Sequence, residues 1–188
     1  SIAENTAVVV TLSDVSTPPS VRVASVAQAT TRDALGGEID GPSAVAMDAI
    51  VAGTLSGVLL WNASVDTPAK TTTASLSFVT AGAIGKGGFI DVALPADGWS
   101  MPLSPSVALS STAANKTSVG ASAMWTGAQR TLSITVGRSV SAGEALTLSV
   151  VGVVTPRSER SAGSGQITTR DVTKSVIDGP TAFSTEAI

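Results

Sequence analysis

Apolar and polar side chains alternate with a period of two residues along much of the chain. The stretch from Leu132 to Val136 is the clearest case, since Leu, Ile and Val alternate there with Ser and Thr. Successive side chains of a strand point to opposite faces of a sheet, so this pattern indicates half-buried antiparallel strands. Similar stretches predict further strands, which cover residues 55–61, 74–78, 90–94, 107–109, 121–125 and 146–150.

Short strands of this kind, separated by turns rich in Gly and Pro, predict an all-β fold. Their number and spacing are typical of an immunoglobulin-like Greek-key β-sandwich, and we expect its body over residues 51–156. Residues 157–165 are polar and rich in Gly and Ser, which is typical of a linker. Residues 44–52 are compatible with one helical turn or with a strand.

The chain contains an internal repeat. Thr-Thr-Arg-Asp occurs at residues 30–33 and 168–171, and Ile-Asp-Gly-Pro occurs at residues 39–42 and 177–180. Both pairs are 138 residues apart, and at this offset residues 1–50 match residues 139–188 at 20 of 50 positions. A bias toward Ser, Thr and Ala does not produce two identical tetrapeptides at one offset. We therefore infer a repeat unit of 138 residues.

The repeat divides the chain unevenly, because its second part occurs twice and its first part, about residues 51–138, occurs once. We interpret residues 1–50 as a partial repeat, an N-terminal extension that duplicates the C-terminal part of the unit and connects domains or subunits. Residues 51–156 form the sandwich, and residues 157–188 are a linker and terminal strands equivalent to residues 19–50.

The partial repeat is expected to expose an apolar face, because residues 1–50 lack the first half of a unit that would cover that face. Val8, Val10 and Leu12 carry this face on a predicted strand, and we expect them to take part in assembly. The cover could come from the rest of this chain, from a longer parent protein, or from a neighbouring subunit that donates a strand.

Composition excludes several classes of function. The 188 residues include no Cys and no His, which excludes Ser-His-Asp catalysis and the usual zinc, copper, haem and iron–sulfur sites. With 11 basic residues and a net charge of −3, the chain is a poor nucleic-acid binder. No apolar run approaches the ~18 residues of a membrane span. We expect no enzyme activity, and a glycosidase with two catalytic carboxylates, drawn from Asp91, Asp97 and Glu144, is the weakest alternative.

Four aspartates recur in the repeat and raise the question of a Ca²⁺ site, which needs several oxygen ligands. They are Asp33 and Asp40 in the first copy and Asp171 and Asp178 in the second. Glu38 could add a ligand in the first copy, but Val176 stands at its position in the second. We therefore favour structural roles in Asp-Gly turns and in pairs with Arg, and we expect neither a metal nor another cofactor.

Two Asn-X-Ser/Thr sequons begin at Asn62 and Asn115. Asn62 is expected to point away from the face that Leu59 and Trp61 share, and Asn115 lies in a polar stretch. Both are therefore predicted N-glycosylation sites.

The three Trp residues allow a different interpretation, a sugar-stacking platform. Core positions are favoured for Trp61 and Trp125, while Trp99, in the loop after Pro95, is expected to be the more open.

Several strand-and-turn motifs follow one another in a familiar order. They are Ala74 to Phe78, Gly87-Gly-Phe-Ile-Asp-Val-Ala-Leu-Pro95 with Gly98-Trp99, Ala142-Gly-Glu-Ala-Leu-Thr-Leu148, Val153-Val-Thr-Pro156 and Gly165-Gln-Ile-Thr-Thr-Arg-Asp171. Over most of residues 70–178 the chain resembles repeat units of large secreted surface proteins of protists and microalgae. The resemblance implies an extracellular β-sandwich repeat with a structural or adhesive role, and it brings no active site.

The low charge density, with 13% of residues charged, favours association over mutual repulsion. Stacked repeats form one-dimensional arrays, and head-to-tail contacts that do not close a ring form filaments. We therefore expect a structural subunit of an extracellular fibre or surface array, built from copies of itself or from tandem repeats by strand exchange or β-augmentation. The alternative is an adhesive or carbohydrate-binding repeat module that uses Trp99.

Overall fold

The computed structural model describes residues 6–111 and 118–188, and within these ranges it contains eleven strands and no helix. The strands are β1 (Ser25–Arg32), β2 (Glu38–Met47), β3 (Leu60–Ala63), β4 (Thr71–Val79), β5 (Phe89–Ala93), β6 (Ser106–Ser111), β7 (Ala121–Thr126), β8 (Thr131–Val136), β9 (Ala145–Val154), β10 (Ser164–Arg170) and β11 (Val176–Thr185). The described ranges accordingly contain no helix that is long and apolar enough to cross a membrane.

Strands β3 to β11, which we call the body, form one nine-stranded sheet in the order β6-β9-β4-β3-β11-β10-β5-β8-β7. The sheet folds over on itself, so that the strands at its two ends, β6 and β7, contact each other. Beside this contact the Val119 amide donates to the Leu109 carbonyl at 2.8 Å. Two layers of strands therefore face each other across one core, which confirms the predicted all-β, immunoglobulin-like sandwich.

The inward faces of the strands form the core, as the period-two alternation predicts. Leu76 and Phe78 of β4, Ile134 of β8 and Leu148 of β9 are all at most 1% exposed, and the residues between them on each strand are only half-buried. Fully burying a side chain of this size stabilises the fold by about 1.5–3 kcal/mol. The stability of the body therefore comes chiefly from these alternating positions.

All three Trp side chains belong to this core. Trp61 is 0% exposed, and Trp99 and Trp125 are each 5% exposed. The rings of Trp61 and Trp99 meet edge to face, with centroids 6.3 Å apart. The expectation that Trp99 is open was wrong, because the next residue, Ser100, pairs with Val154 at the end of β9 and holds the loop against the body.

Two predicted segments differ in length or type from the expectation. The strand expected over residues 55–61 begins only at Leu60, as β3. Gly57 and Leu59 have φ angles of +97° and +47°, which turn the preceding backbone out of the extended conformation. Residues 44–47 belong to β2, so the undecided segment 44–52 begins as a strand.

The strand predicted around Val8, Val10 and Leu12 does not form, and this prediction was wrong. Its counterpart in the second copy is β9, which pairs with β4 on one side and β6 on the other. Residues 51–138 supply both of those neighbours, and the first copy has no equivalent of them. An apolar segment without neighbouring strands has no ladder to join, so the alternation alone does not make it a strand.

The terminal strands of the chain lie at the centre of the body. Residues 157–188 contain β10 and β11, which stand between β5 and β3 in the sheet. The boundary expected at residue 156 therefore does not separate these strands from the sandwich. They supply two of its nine strands.

Candidate functional site

The two copies of the repeat each form a hairpin of the same construction. The N-terminal hairpin consists of β1 and β2, and the C-terminal hairpin consists of β10 and β11. Their cross-strand pairs coincide at the 138-residue offset: Ala29 faces Ser43, as Ile167 faces Thr181. The register shifts fall at equivalent places, and each second strand has a cis Gly-Pro peptide. The repeated sequence therefore encodes a repeated structure.

A Thr–Asp pair joins the two strands of each hairpin. In the N-terminal hairpin the Thr31 hydroxyl donates to Asp40 Oδ2 at 2.9 Å and accepts from the Asp40 amide at 3.0 Å. In the C-terminal hairpin Thr169 and Asp178 make the same two hydrogen bonds at 2.9 and 3.0 Å. The two recurring tetrapeptides supply these partners.

A second aspartate shapes the turn of each hairpin. Asp33 Oδ1 accepts from the amides of Leu35 and Gly37, at 2.9 and 2.7 Å. Asp171 Oδ1 accepts from the amides at the equivalent positions, and also from the Thr173 hydroxyl at 2.7 Å. The Thr173 hydroxyl lowers the pKa of Asp171 below its ordinary value. Both carboxylates thus act within their own turns.

The stem of each hairpin is closed by one backbone pair. Arg22 and Ile50 exchange two hydrogen bonds of 3.1 and 2.9 Å, and Arg160 and Ile188 exchange two of 2.8 and 2.9 Å. After the first stem the chain is fixed again at Gly53, whose amide donates to the Ile177 carbonyl at 3.0 Å. The connection between the N-terminal hairpin and the body is therefore short.

The C-terminal hairpin fills a gap in the body that we call the hairpin slot, between β5 and β3. Strand β10 pairs antiparallel with β5, from Gln166 opposite Ala93 to Arg170 opposite Phe89, and β11 pairs parallel with β3. The inward side chains of the hairpin are at most 5% exposed, and they are Ile167, Thr169, Ile177, Asp178, Phe183 and Thr185.

Asp178 is the polar anchor of the seated hairpin. It is 0% exposed, with Oδ2 bonded by the Thr169 hydroxyl and Oδ1 accepting from the Gly82 amide at 2.8 Å. A Cβ atom added to Gly53 would collide with the Asp178 carboxylate, so this position requires glycine to admit the side chain. Buried carboxylates are tolerated when hydrogen bonds compensate for the lost hydration, as here.

The N-terminal hairpin is not seated in this way. Within the described residues its two strands pair only with each other, and both outer edges are open. The positions equivalent to Ile177, Phe183 and Thr185 are Ile39, Val45 and Met47, whose exposures are 63%, 47% and 52%. Asp40 is likewise exposed. The same hairpin therefore occurs once inside the sandwich and once outside it, with apolar side chains at the same positions.

The residues predicted to take part in assembly lie on an exposed segment that precedes the N-terminal hairpin. Val8, Val10 and Leu12 are 58%, 76% and 75% exposed, while their counterparts in β9, which are Leu146, Leu148 and Val150, are at most 1% exposed. Their role in assembly stays a prediction. Their exposure agrees with an N-terminal segment whose apolar face is uncovered.

The four aspartates considered for Ca²⁺ are placed in two hairpins and are engaged there in hydrogen bonds to their own chain. Over residues 6–111 and 118–188 there is no group of three or more Asp or Glu residues that could hold a metal ion. The structure thus gives each of the four a structural use.

Of the two sequons, one lies in the described residues. Asn62 is exposed on β3, and its side-chain amide donates to Glu186 Oε1 at 2.9 Å on the surface. Asn115 lies outside the described residues. Glycan attachment at either stays a prediction.

Of the three carboxylates considered for glycoside hydrolysis, Asp91 and Glu144 are each held by a cation. Asp91 Oδ2 accepts from Arg170 Nε at 2.8 Å, and Glu144 Oε1 accepts from Arg138 at 2.7 Å. The Arg138 guanidinium lowers the pKa of Glu144 below its ordinary value.

The seat of the C-terminal hairpin was missed at the sequence level, although a signal existed. The signal is Asp178 itself, which recurs in both copies of Ile-Asp-Gly-Pro, and Gly53 and Gly82 lie against it in the structure. Glycines opposite a recurring aspartate are the mark of a close approach that the alternation pattern does not report.

No protein-family model matches the chain, and no curated protein matches it. Three solved structures are similar. The C-terminal domain of the antigen I/II-family protein AspA from Streptococcus pyogenes has a TM-score of 0.38 and 8% identity, over 81% of this chain and 51% of that one. The collagen adhesin CNA from S. aureus has a TM-score of 0.37 and 9% identity, over 79% and 54%.

The third is BcpA, the major pilin subunit of Bacillus cereus, with a TM-score of 0.35 and 8% identity over 87% of this chain and 47% of that one. The chain spans about half the length of each structure that it matches. A likeness at this level says nothing about its function.

Proposed function

We propose that the chain is a structural repeat of an extracellular fibre or surface array, joined head to tail to its neighbour through residues 6–50. The neighbour is another copy of the chain or a further repeat of a longer polypeptide. Strand exchange or β-augmentation makes the junction. The role is one of construction, with no catalytic step.

The main support for this proposal is that the hairpin occurs twice. The C-terminal copy is part of the nine-stranded sheet, and the N-terminal copy is not. A free hairpin with two open edges and an apolar face is a template for pairing with another chain. Natural proteins normally blunt such edges with Lys, Pro or a covering element, whereas here β1 and β2 have no described neighbour beyond each other. The low charge density and the resemblance to secreted surface repeats support an extracellular array.

The alternative adhesive role loses its main support in this structure. A sugar-stacking platform needs exposed aromatic faces, and Trp61, Trp99 and Trp125 are all at most 5% exposed. We therefore propose construction rather than carbohydrate binding as the role.

The proposal is tested by comparing the full chain with a chain of residues 51–188. The shorter chain keeps every residue of the hydrophobic core, which runs from Leu55 to Phe183. We expect it to remain monomeric in light scattering, with a Tm within about 5 °C of that of the full chain. The full chain is expected to associate with rising concentration and to form elongated particles in negative-stain micrographs. A full chain that stays monomeric throughout contradicts the proposed function.

Glycosylation of the array is a separate part of the proposal. After secretion from a eukaryotic host, we expect the intact mass to exceed that of the polypeptide and to fall on enzymatic removal of N-glycans. Asn62→Gln is expected to remove one glycan, and Asn115→Gln the other. A mass equal to that of the bare polypeptide would refute this part alone.

A further inference from the structure

The N-terminal hairpin carries, at matching positions, what the hairpin slot requires. Its inward-facing set corresponds position by position to that of the seated hairpin: Ile39 to Ile177, Asp40 to Asp178, Val45 to Phe183, Met47 to Thr185, Ala29 to Ile167 and Thr31 to Thr169. At an outward position, Ala44 corresponds to Ala182, which is exposed in the seated hairpin. Because the C-terminal hairpin occupies the hairpin slot, the N-terminal hairpin is expected to be complementary to the same kind of slot.

We propose that the N-terminal hairpin fills the hairpin slot of a neighbouring unit of the same fold, in which no other hairpin occupies that slot. The partner is thus a unit built like residues 51–156, and the contact is made by β1 on a β5-like strand and β2 on a β3-like strand. This assignment rests on the proposed function and names the surface that makes its junction.

The N-terminal hairpin does not enter the slot of an intact second copy of this chain, because the hairpin already there fits better. Intact copies therefore associate through the open edges of β1 and β2, and the seated junction forms with a repeat whose slot is vacant. Ile167 and Phe183 are at most 2% exposed in the seated hairpin, whereas the equivalent residues of the N-terminal hairpin are the smaller Ala29 and Val45. Exchange would leave the larger apolar side chains in water and bury the smaller ones, which is unfavourable. The N-terminal hairpin therefore needs a vacant slot.

Asp40 is the anchor of the docked hairpin. It is already held by Thr31 in the geometry that Asp178 has with Thr169, so docking requires little rearrangement. Its Oδ1 would accept from an amide at the position of Gly82, as Asp178 does at 2.8 Å. The partner unit must therefore carry glycine at the position of Gly53, where any side chain would collide with the carboxylate.

One cross-strand pair shows a compensating exchange. Gly165 faces Phe183 in the seated hairpin, and Ala27 faces Val45 in the free one. A Cβ atom at Gly165 would collide with the Phe183 ring, whereas the smaller Val45 leaves room for Ala27. The same Cβ would lie 2.6 Å from the Ala93 carbonyl oxygen, so the β5-like strand of the partner must sit slightly farther away.

The experiment is a full-length chimera in which residues 19–50 replace residues 157–188, so that a copy of the N-terminal hairpin follows the body. The two segments have equal length and the same stem pair, as the repeat alignment shows. We expect one cooperative thermal transition, with a Tm roughly 10–20 °C below that of the parent chain because Ile167 and Phe183 are replaced by smaller residues. A chimera without a cooperative transition overturns the proposal.

Two matched variants of the transplanted hairpin test how it is seated. Val45→Lys places a charge on the inward face, and Ala44→Lys places the same charge one residue away on the outward face. We expect the first to abolish the cooperative transition of the chimera and the second to shift its Tm by less than about 3 °C. Equal effects would overturn the proposed seating. These readouts do not depend on self-association, so their failure is distinguishable from failure of the proposed function.

Discussion

Replacing Asp178 with Ala is expected to destabilise the chain by about 3–5 kcal/mol, whereas Asp40→Ala changes its stability by less than about 0.5 kcal/mol. The two aspartates occupy equivalent positions in the repeat and make the same pair of hydrogen bonds to a threonine. Only Asp178 is buried, and only Asp178 accepts from the Gly82 amide. The contrast therefore isolates the effect of seating the hairpin.

The large effect of Asp178→Ala follows from the groups that it leaves behind. The half-buried Gly82 amide and the fully buried Thr169 hydroxyl would both lose an acceptor, and each loss of a buried hydrogen-bond partner costs about 1–3 kcal/mol. Around Asp40 the hydroxyl and amide groups are exposed, so water replaces the carboxylate.

Urea unfolding followed by Trp fluorescence measures this contrast, because all three Trp residues lie in the core of the body. Asp178→Ala is expected to lower the Tm by about 10 °C as well, at 2–4 °C per kcal/mol for a chain of this size. Equal destabilisation by the two substitutions would show that the N-terminal hairpin contributes to the body, contrary to the structure.

Truncation of Leu148 is the second large effect. Leu148 is 0% exposed in β9, where it stands opposite Leu76 of β4 and Leu109 of β6. Leu148→Ala removes buried methyl groups and leaves a cavity between three strands, which costs about 2–5 kcal/mol. At the equivalent position of the first copy, Val10 is 76% exposed, and Val10→Ala is expected to be silent within about 0.5 kcal/mol.

Measurement of both variants as isolated, dilute chains is essential, because association would bury Val10. Under these conditions an effect of Val10→Ala comparable with that of Leu148→Ala would mean that residues 7–16 already pack on a body. In concentrated samples we expect the same substitution to weaken association, which light scattering would detect.

The alternation of side chains predicted the body strands well where both neighbours are supplied by the chain. The predicted strands over residues 74–78 and 132–136 are found in β4 and β8. In each of them the apolar face points into the core and the polar face points outward. The same pattern at Val8 to Leu12 formed no strand. Alternation reports which face of a strand is apolar, and it does not report whether a neighbouring strand is present to pair with it.

The place of the C-terminal hairpin in the sheet could not be predicted from the sequence, for a related reason. The sequence predicts a linker followed by terminal strands over residues 157–188, because this Ser-, Thr- and Gly-rich segment has few large apolar residues. Its place in the middle of the sheet depends on long-range contacts, such as Asp178 with Gly82, which are separated by 96 residues. The recurring tetrapeptide marked Asp178 as a residue of interest. It did not indicate that Gly82 would be the residue in contact with it.

The short passage from the stem of the N-terminal hairpin to the body has a mechanical consequence. Only Val51 and Ala52 lie between the stem pair at Ile50 and Gly53, which is bonded on both sides to β11, and Val21, next to the stem pair on the other strand, donates directly to the Val176 carbonyl of β11. Three backbone steps therefore connect Ile50 with Gly53. Three residues extend over about 10 Å at most, at 3.3–3.6 Å each. An array joined by seated hairpins would therefore lack slack tethers between its members and would bend as a stiff rod, with a persistence length far exceeding one unit.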